Sequence, residues 1–143
     1  MVNVKIKKLD KDAFIPAQAN INDAGWDICA IGNYYIKPNR TELVKTGLAV
    51  EIPKGYELQI RGKSGNALKR GLNIAQGIGT IDSGYRGEIG VLLHNMDCWT
   101  KTILEGDMIA QLVLEEIPEV TYEEVKELSK SDRGDKGFGS TQC

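Results

Sequence analysis

Four segments carry more chemistry than their local structure requires. GTIDSGYRGE (79–88) sets one acid, Asp82, three residues before a Tyr85–Arg86 pair, between the apolar stretches Ile74–Ile78 and Ile89–Leu93. Gly, Asp and Ser suffice for a turn, so the added Tyr and Arg point to a site built on a turn between two strands. Alone, the segment reads more readily as a hairpin turn. RGKSGNA (61–67) joins two cations, a hydroxyl and two glycines. Glycine lets backbone N–H groups approach an anion, and Lys63 and Ser64 add charge and hydrogen bonds. An ordinary basic turn would look the same. AGWDICA (24–30) places Asp27 inside an apolar stretch. A carboxylate there needs structural hydrogen bonds or a hydrated metal, and the structural role is favoured. Near the C-terminus, Arg133 precedes Gly137-Phe138-Gly139-Ser140-Thr141. A lone Phe between glycines makes sense stacked on a planar ligand, with Arg133 and the hydroxyls on phosphate. A plain linker is the alternative.

Together these residues describe a base, a sugar and a polyphosphate. Asp82 could orient and deprotonate a water for attack on phosphorus. The repelling negative charges would call for magnesium, held mainly by phosphates and waters.

Other patterns carry little. Gly62-Lys63-Ser64 looks like the end of a P-loop, but the Gly required five positions before its Gly-Lys is Glu57. His94, the single histidine, has no Glu two residues on and no Pro-Cys-x-x-Cys partner, which removes the zinc-deaminase signature. One histidine without an elbow sequence also leaves no Ser–His–Asp set. Arg133-Gly134-Asp135 mimics an adhesion tripeptide by chance.

Short apolar runs separated by turn residues must position the four segments. Val2–Leu9 alternates as a half-buried strand with a basic outer face. Ile15–Asp23 reads as loop, and Trp26–Ala30 as a short apolar run. Tyr34–Ile36 starts a strand turned by Pro38-Asn39. Leu43–Ile52, Tyr56–Ile60, Ile74–Ile81, Glu88–Leu93 and Met108–Ile117 follow as further runs. Asn66–Arg70 is the one place for a brief helical turn. Val120–Leu128 fits a strand or extended segment better than a helix. Turn signals recur every ~8–12 residues, as in a sandwich or barrel. Ser129–Cys143 is Gly-rich and has one aromatic, so it should be disordered alone. The chain thus divides into a 1–128 β domain and a 129–143 arm.

Composition narrows the class. The 143 residues suit one domain. A net charge of -2 gives no basic face for nucleic acid. Cys29, Cys98 and Cys143 are an odd set without metal spacing, which suits free thiols in a reducing compartment. With no long apolar run and no cleavage-site pattern, the expectation is a cytoplasmic protein without a membrane partner.

From end to end the chain resembles the trimeric dUTP diphosphatases (dUTPases). Five segments come in the family's order: AGWDICA (24–30), RGKSGNA (61–67), GTIDSGYRGE (79–88), GDMIAQLV (106–113) and RGDKGFGST (133–141). The resemblance implies an all-β, jelly-roll-type barrel and a homotrimer whose three sites lie at subunit interfaces. It implies hydrolysis of dUTP to dUMP and pyrophosphate with Mg2+, which keeps uracil out of DNA and supplies dUMP for thymidylate synthesis. By the same resemblance Asp82 activates the attacking water at the α-phosphorus, and Tyr85 packs on deoxyribose and excludes a 2′-hydroxyl. A hairpin from about Asn73 to Asp82, with Gln76, Gly79, Thr80 and Ile81, reads uracil largely through its backbone. Lys63, Ser64 and Gly65 match the phosphate-binding turn. Gln111 lies beside the phosphate-and-metal water network, which Asp27 joins through water. Arg133 holds the terminal phosphate, Phe138 stacks on uracil, and Gly139, Ser140 and Thr141 close the arm over the phosphates.

Three positions depart from the family pattern. Lys63 replaces an Arg, so a bidentate fork becomes a point charge, for which Arg61 is a candidate substitute. Gln76 stands where Asn is common, and Met108 where Arg is common. A dCTP deaminase of the same fold is the runner-up enzyme. A dUTP-gated regulator with a protein partner is an alternative of another class.

Overall fold

The computed structural model describes residues 2–137. Eleven strands and one short helix form four small sheets. The largest has the order β2 (Trp26–Cys29), β11 (Met108–Glu116), β6 (Tyr56–Arg61), β8 (Ile78–Asp82). A second joins β4 (Thr41–Lys45), β9 (Gly90–Asn95) and β7 (Leu72–Ile74). Two ribbons complete the set: β1 (Lys5–Lys8) with β5 (Leu48–Glu51), and β3 (Tyr34–Ile36) with β10 (Lys101–Ile103). Every pairing is antiparallel. Alternate residues of all four sheets meet in one core, including Ile28, Ile36, Val44, Val50, Ile60, Ile74, Ile81, Val91, Ile103 and Leu112. This is an all-β fold, as the recurrent turn signals predict, of the jelly-roll type that the resemblance implies.

Two runs that look continuous in sequence are broken. Leu43–Ile52 divides at Thr46-Gly47, where Gly47 has φ 67° and a Cβ would meet the Ala13 Cβ at 2.9 Å. The chain there leaves β9 and joins β1 through β5. Ile74–Ile81 divides at Gly77, with φ 80° and its N–H donated to the Ile74 carbonyl at 3.0 Å. Because β7 pairs with β9 and β8 with β6, residues 73–82 are a bend between two sheets rather than a hairpin of mutually paired strands. The segment after Asp82 likewise crosses to β9 in the other sheet, so 79–88 is not a hairpin turn either. Pairing partners far along the chain decide both breaks.

Other differences are local. α1 spans Ser64–Arg70, two residues earlier than expected, and ends at Gly71 in the left-handed region with φ 60°. It buries no residue and is held at its rim, Asn66 donating to Met108 O at 3.0 Å and Arg70 to Thr102 O at 2.6 Å. β1 is more exposed than a half-buried strand: all four residues face solvent and only Val4 before it packs on the core. It pairs on one side only, with β5, beside an open apolar groove lined by Val4, Ile6, Trp26 and Leu114. Val120–Leu128 is exposed and forms neither strand nor helix, having no partner strand among the described residues. β10 escapes sequence reading because three residues show no period.

One buried polar group fixes the β3–β9 corner. Asn95, fully buried, donates to Ile36 O and Trp99 O, both at 2.8 Å, and accepts from Asp97 N at 2.9 Å. No buried side-chain polar atom among the described residues lacks a partner.

Candidate active site

β8 and the turn after it face β4 and β9 across a cavity of about 460 Å³. Gln76, Gly79, Thr80, Ile81, Asp82 and Tyr85 all line it, so the structure gathers six expected site residues in one place. Leu43 and Leu92 add apolar wall, and Lys45 and Glu88 add charge. Among the described residues β8 is the last strand of its sheet, so one edge of its backbone has no partner there. Such an edge offers alternating N–H and C=O groups, which suits a planar base with donors and acceptors along one side. Gly79 keeps the approach open, since a Cβ there would stand 3.0 Å from Gln76 Nε2 and 3.2 Å from Ile60 Cβ.

Asp82 ends β8 with its side chain exposed. Its carboxylate takes part in none of the hydrogen bonds or ion pairs among the described residues, while its carbonyl accepts from Tyr85 N at 3.0 Å. The turn therefore fixes Asp82 through its backbone and leaves the acid available to water. Tyr85 is half-exposed, and its phenol donates to Glu88 O at 3.0 Å. The ring lies over Gly87, where any Cβ would overlap the phenol oxygen.

A second group sits across the large sheet. Asp27, Gln111 and Arg61 share one register row on β2, β11 and β6. Lys63 and Asp27 form a part-buried ion pair. Asp27 thus has a structural partner, as its sequence context suggests. Gln111 donates to Gly62 O at 2.9 Å, and its side chain occupies the space a Cβ on Gly25 would need. Ser64 and Gly65 open α1 and are exposed. Arg61 is no substitute for the missing Arg at position 63: its guanidinium is engaged by Gln59 Oε1 at 2.6 Å and Glu115 Oε1 at 2.5 Å. Nearby, burial first and then Asp27 push the Cys29 thiol pKa up, so Cys29 stays a neutral thiol.

No side-chain hydrogen bond or ion pair among the described residues joins these two groups. Arg133 belongs to neither: it sits in an exposed turn and donates to Lys136 O at 3.0 Å. Phe138, Gly139, Ser140 and Thr141 lie outside the described residues.

The comparisons agree with this geometry. A family model described as dUTPase matches residues 11–142. The chain belongs to the dUTPase family. It is similar to the deoxyuridine 5'-triphosphate nucleotidohydrolase of Clostridioides difficile, 45% identical over 99% of this chain and 99% of the relative. The enzyme of that name from Nautilia profundicola is 46% identical over 98% of this chain and 99% of the relative. Among solved structures, the Staphylococcus bacteriophage 80alpha dUTPase with dUpNHpp superposes with a TM-score of 0.91, at 30% identity over 99% of both chains. A dUTPase from phage phi11 of S. aureus, solved with a structural Mg(II) ion, superposes with a TM-score of 0.81, at 28% identity over 87% of this chain and 97% of that one.

In this dUTPase-family chain no cluster of three or more His, Cys, Asp or Glu among the described residues is built to hold a metal. That donor set fits magnesium only where substrate phosphates and waters supply most ligands, which is the usual habit of that ion. No helix among the described residues is long and apolar enough to cross a membrane. The pocket residues that sequence reading missed are Leu43, Lys45, Ile60, Glu88, Ile89, Gly90 and Leu92. Of these only Glu88 lay in a singled-out segment, GTIDSGYRGE, and the outward positions of Leu43 and Leu92 gain meaning only when β4 is known to pair with β9.

Proposed function

We propose that this chain hydrolyses dUTP to dUMP and pyrophosphate, with Asp82 as the base that orients and deprotonates the attacking water. The observation that carries the reading is the unpaired Asp82 carboxylate on the rim of a cavity walled by the free edge of β8 and by Tyr85. Uracil lies along that edge, read by backbone N–H and C=O groups, with Gln76 beside it. Deoxyribose packs on Tyr85, where a 2′-hydroxyl would crowd the ring. Asp82 takes a proton from water as its oxygen bonds to the α-phosphorus, and pyrophosphate leaves.

Among the described residues one cation, Lys45, lines the cavity, and Glu88 stands 3.6 Å from it. A triphosphate needs more positive charge and more donors than that. Lys63, Ser64, Gly65 and Gln111 supply them from one neighbouring copy. Arg133 and Gly139–Thr141 supply them from another, with Phe138 over the base. The working unit is then a homotrimer with shared sites, a 1–128 core and a 129–143 arm that closes. For a phosphate to reach Lys63, its ammonium must loosen from Asp27. That exchange frees Asp27 to accept from water beside Gln111. Mg2+, held mainly by the phosphates and waters, would neutralise their charge there. The relatives' names favour hydrolysis over deamination.

The test is Asp82→Asn. Losing a general base cuts turnover by ~100-fold or more, while dUTP affinity by calorimetry stays near that of the parent. Parent-like turnover would remove Asp82 from the role.

A further inference from the structure

Tyr85 is held at two points, its ring and its phenol, and the second leads through Glu88 to the junction between β4 and β5. Its ring rests on Gly87, and its phenol donates to the Glu88 carbonyl at 3.0 Å. The Glu88 side chain then turns away from the ring. Its Oε1 accepts from the Gly47 N–H at 3.0 Å, and its Oε2 stands 3.6 Å from Lys45 Nζ. Gly47 is the buried left-handed residue between β4 and β5, packed so closely on Ala13 and Ile31 that it cannot carry a side chain. The same junction grips the next residue twice. Thr46 Oγ1 donates to Ile89 O at 2.7 Å from a fully buried site, and Ile89 N donates to Leu48 O at 2.7 Å.

We propose that Glu88 is a positioning residue for sugar discrimination: by bonding the rigid β4–β5 junction it fixes the backbone carbonyl and the Gly87 platform that seat the Tyr85 ring. A ring that shifts by a fraction of an ångström no longer crowds a 2′-hydroxyl, although the residues touching substrate are unchanged. Gly87 matters for the same reason, because a methyl there displaces the ring directly. The inference rests on the reading of Tyr85 as the sugar gate.

The experiment compares kcat/KM for dUTP and UTP in the parent, Glu88→Ala, Glu88→Gln and Tyr85→Ala, with a thermal melt of each. Loss of one hydrogen bond corresponds to about tenfold, so Glu88→Ala should narrow the dUTP:UTP ratio by about that factor. Glu88→Gln keeps an oxygen for the Gly47 N–H and should hold the ratio within ~3-fold. If Glu88→Ala does not fold, Glu88→Asp replaces it, one methylene short of Gly47, with the same narrowing expected. A lowered melting temperature with an unchanged ratio in Glu88→Ala or Glu88→Asp would make Glu88 merely structural and overturn the proposal. An unchanged ratio in Tyr85→Ala would instead overturn the sugar gate itself, so the two failures are distinguishable.

Discussion

Asp82 and Asp27 are both carboxylates in β segments, yet their surroundings are opposite. Asp27 faces Lys63 across a part-buried ion pair, while Asp82 ends a strand with its side chain exposed and unpartnered among the described residues. Neither environment can be read from AGWDICA or IDSGYRGE alone, because both partners depend on strand register. The segment around Asp82 stood out in the sequence, since no turn needs the Tyr that follows it, and its acid is proposed as the reactive one. The partner of Lys63 was not, and the sharing of Arg61 between Gln59 and Glu115 was not either. A third acid has a different consequence. Asp97 accepts from Lys101 first, then from the Cys98 thiol and N–H, and these bonds lower its pKa from 3.8 to about 2. A lowered carboxylate pKa stabilises the fold above the unfolded value, and that contribution fades as pH falls through the folded one. Melting curves of the parent and Asp97→Asn should therefore differ at neutral pH and converge between 3.8 and about 2. A gap that persists below that window would contradict the assignment.

At the scale of elements, runs with a firm stop were readable: Tyr34–Ile36 is a strand as expected, and the expected Tyr56–Ile60 and Met108–Ile117 lie within one residue of the strands Tyr56–Arg61 and Met108–Glu116. Elements that change sheets in mid-run were not. Gly47 and Gly77 mark such changes, and each could have been an ordinary residue inside a strand until the partners of β4, β5, β7 and β8 were known. The hairpin expectation at 73–82 failed on this point, and the proposed uracil readout rests instead on the backbone groups along the edge of β8. The proposed arm carries its own prediction. Deleting Arg133–Cys143 should leave the melting transition of the core in place and remove efficient hydrolysis, since the arm would supply positioning rather than packing. Unchanged steady-state kinetics in the shortened chain would refute the closing arm.

For the whole molecule, the separation of the two groups on one chain is the argument for assembly. The base-and-acid cavity holds Asp82, and the Lys63–Gln111 group has no described side-chain link to it. If copies share sites, Asp82→Asn subunits mixed with arm-deleted subunits should regain part of the lost activity after denaturation and refolding together. A mixture no more active than its parts would argue for sites complete within one chain. The most direct test of the central claim is product analysis with the intact protein and Mg2+, offering dUTP and dCTP separately. The account predicts pyrophosphate and dUMP from dUTP and no ammonia from dCTP. Ammonia from dCTP without pyrophosphate from dUTP would contradict it.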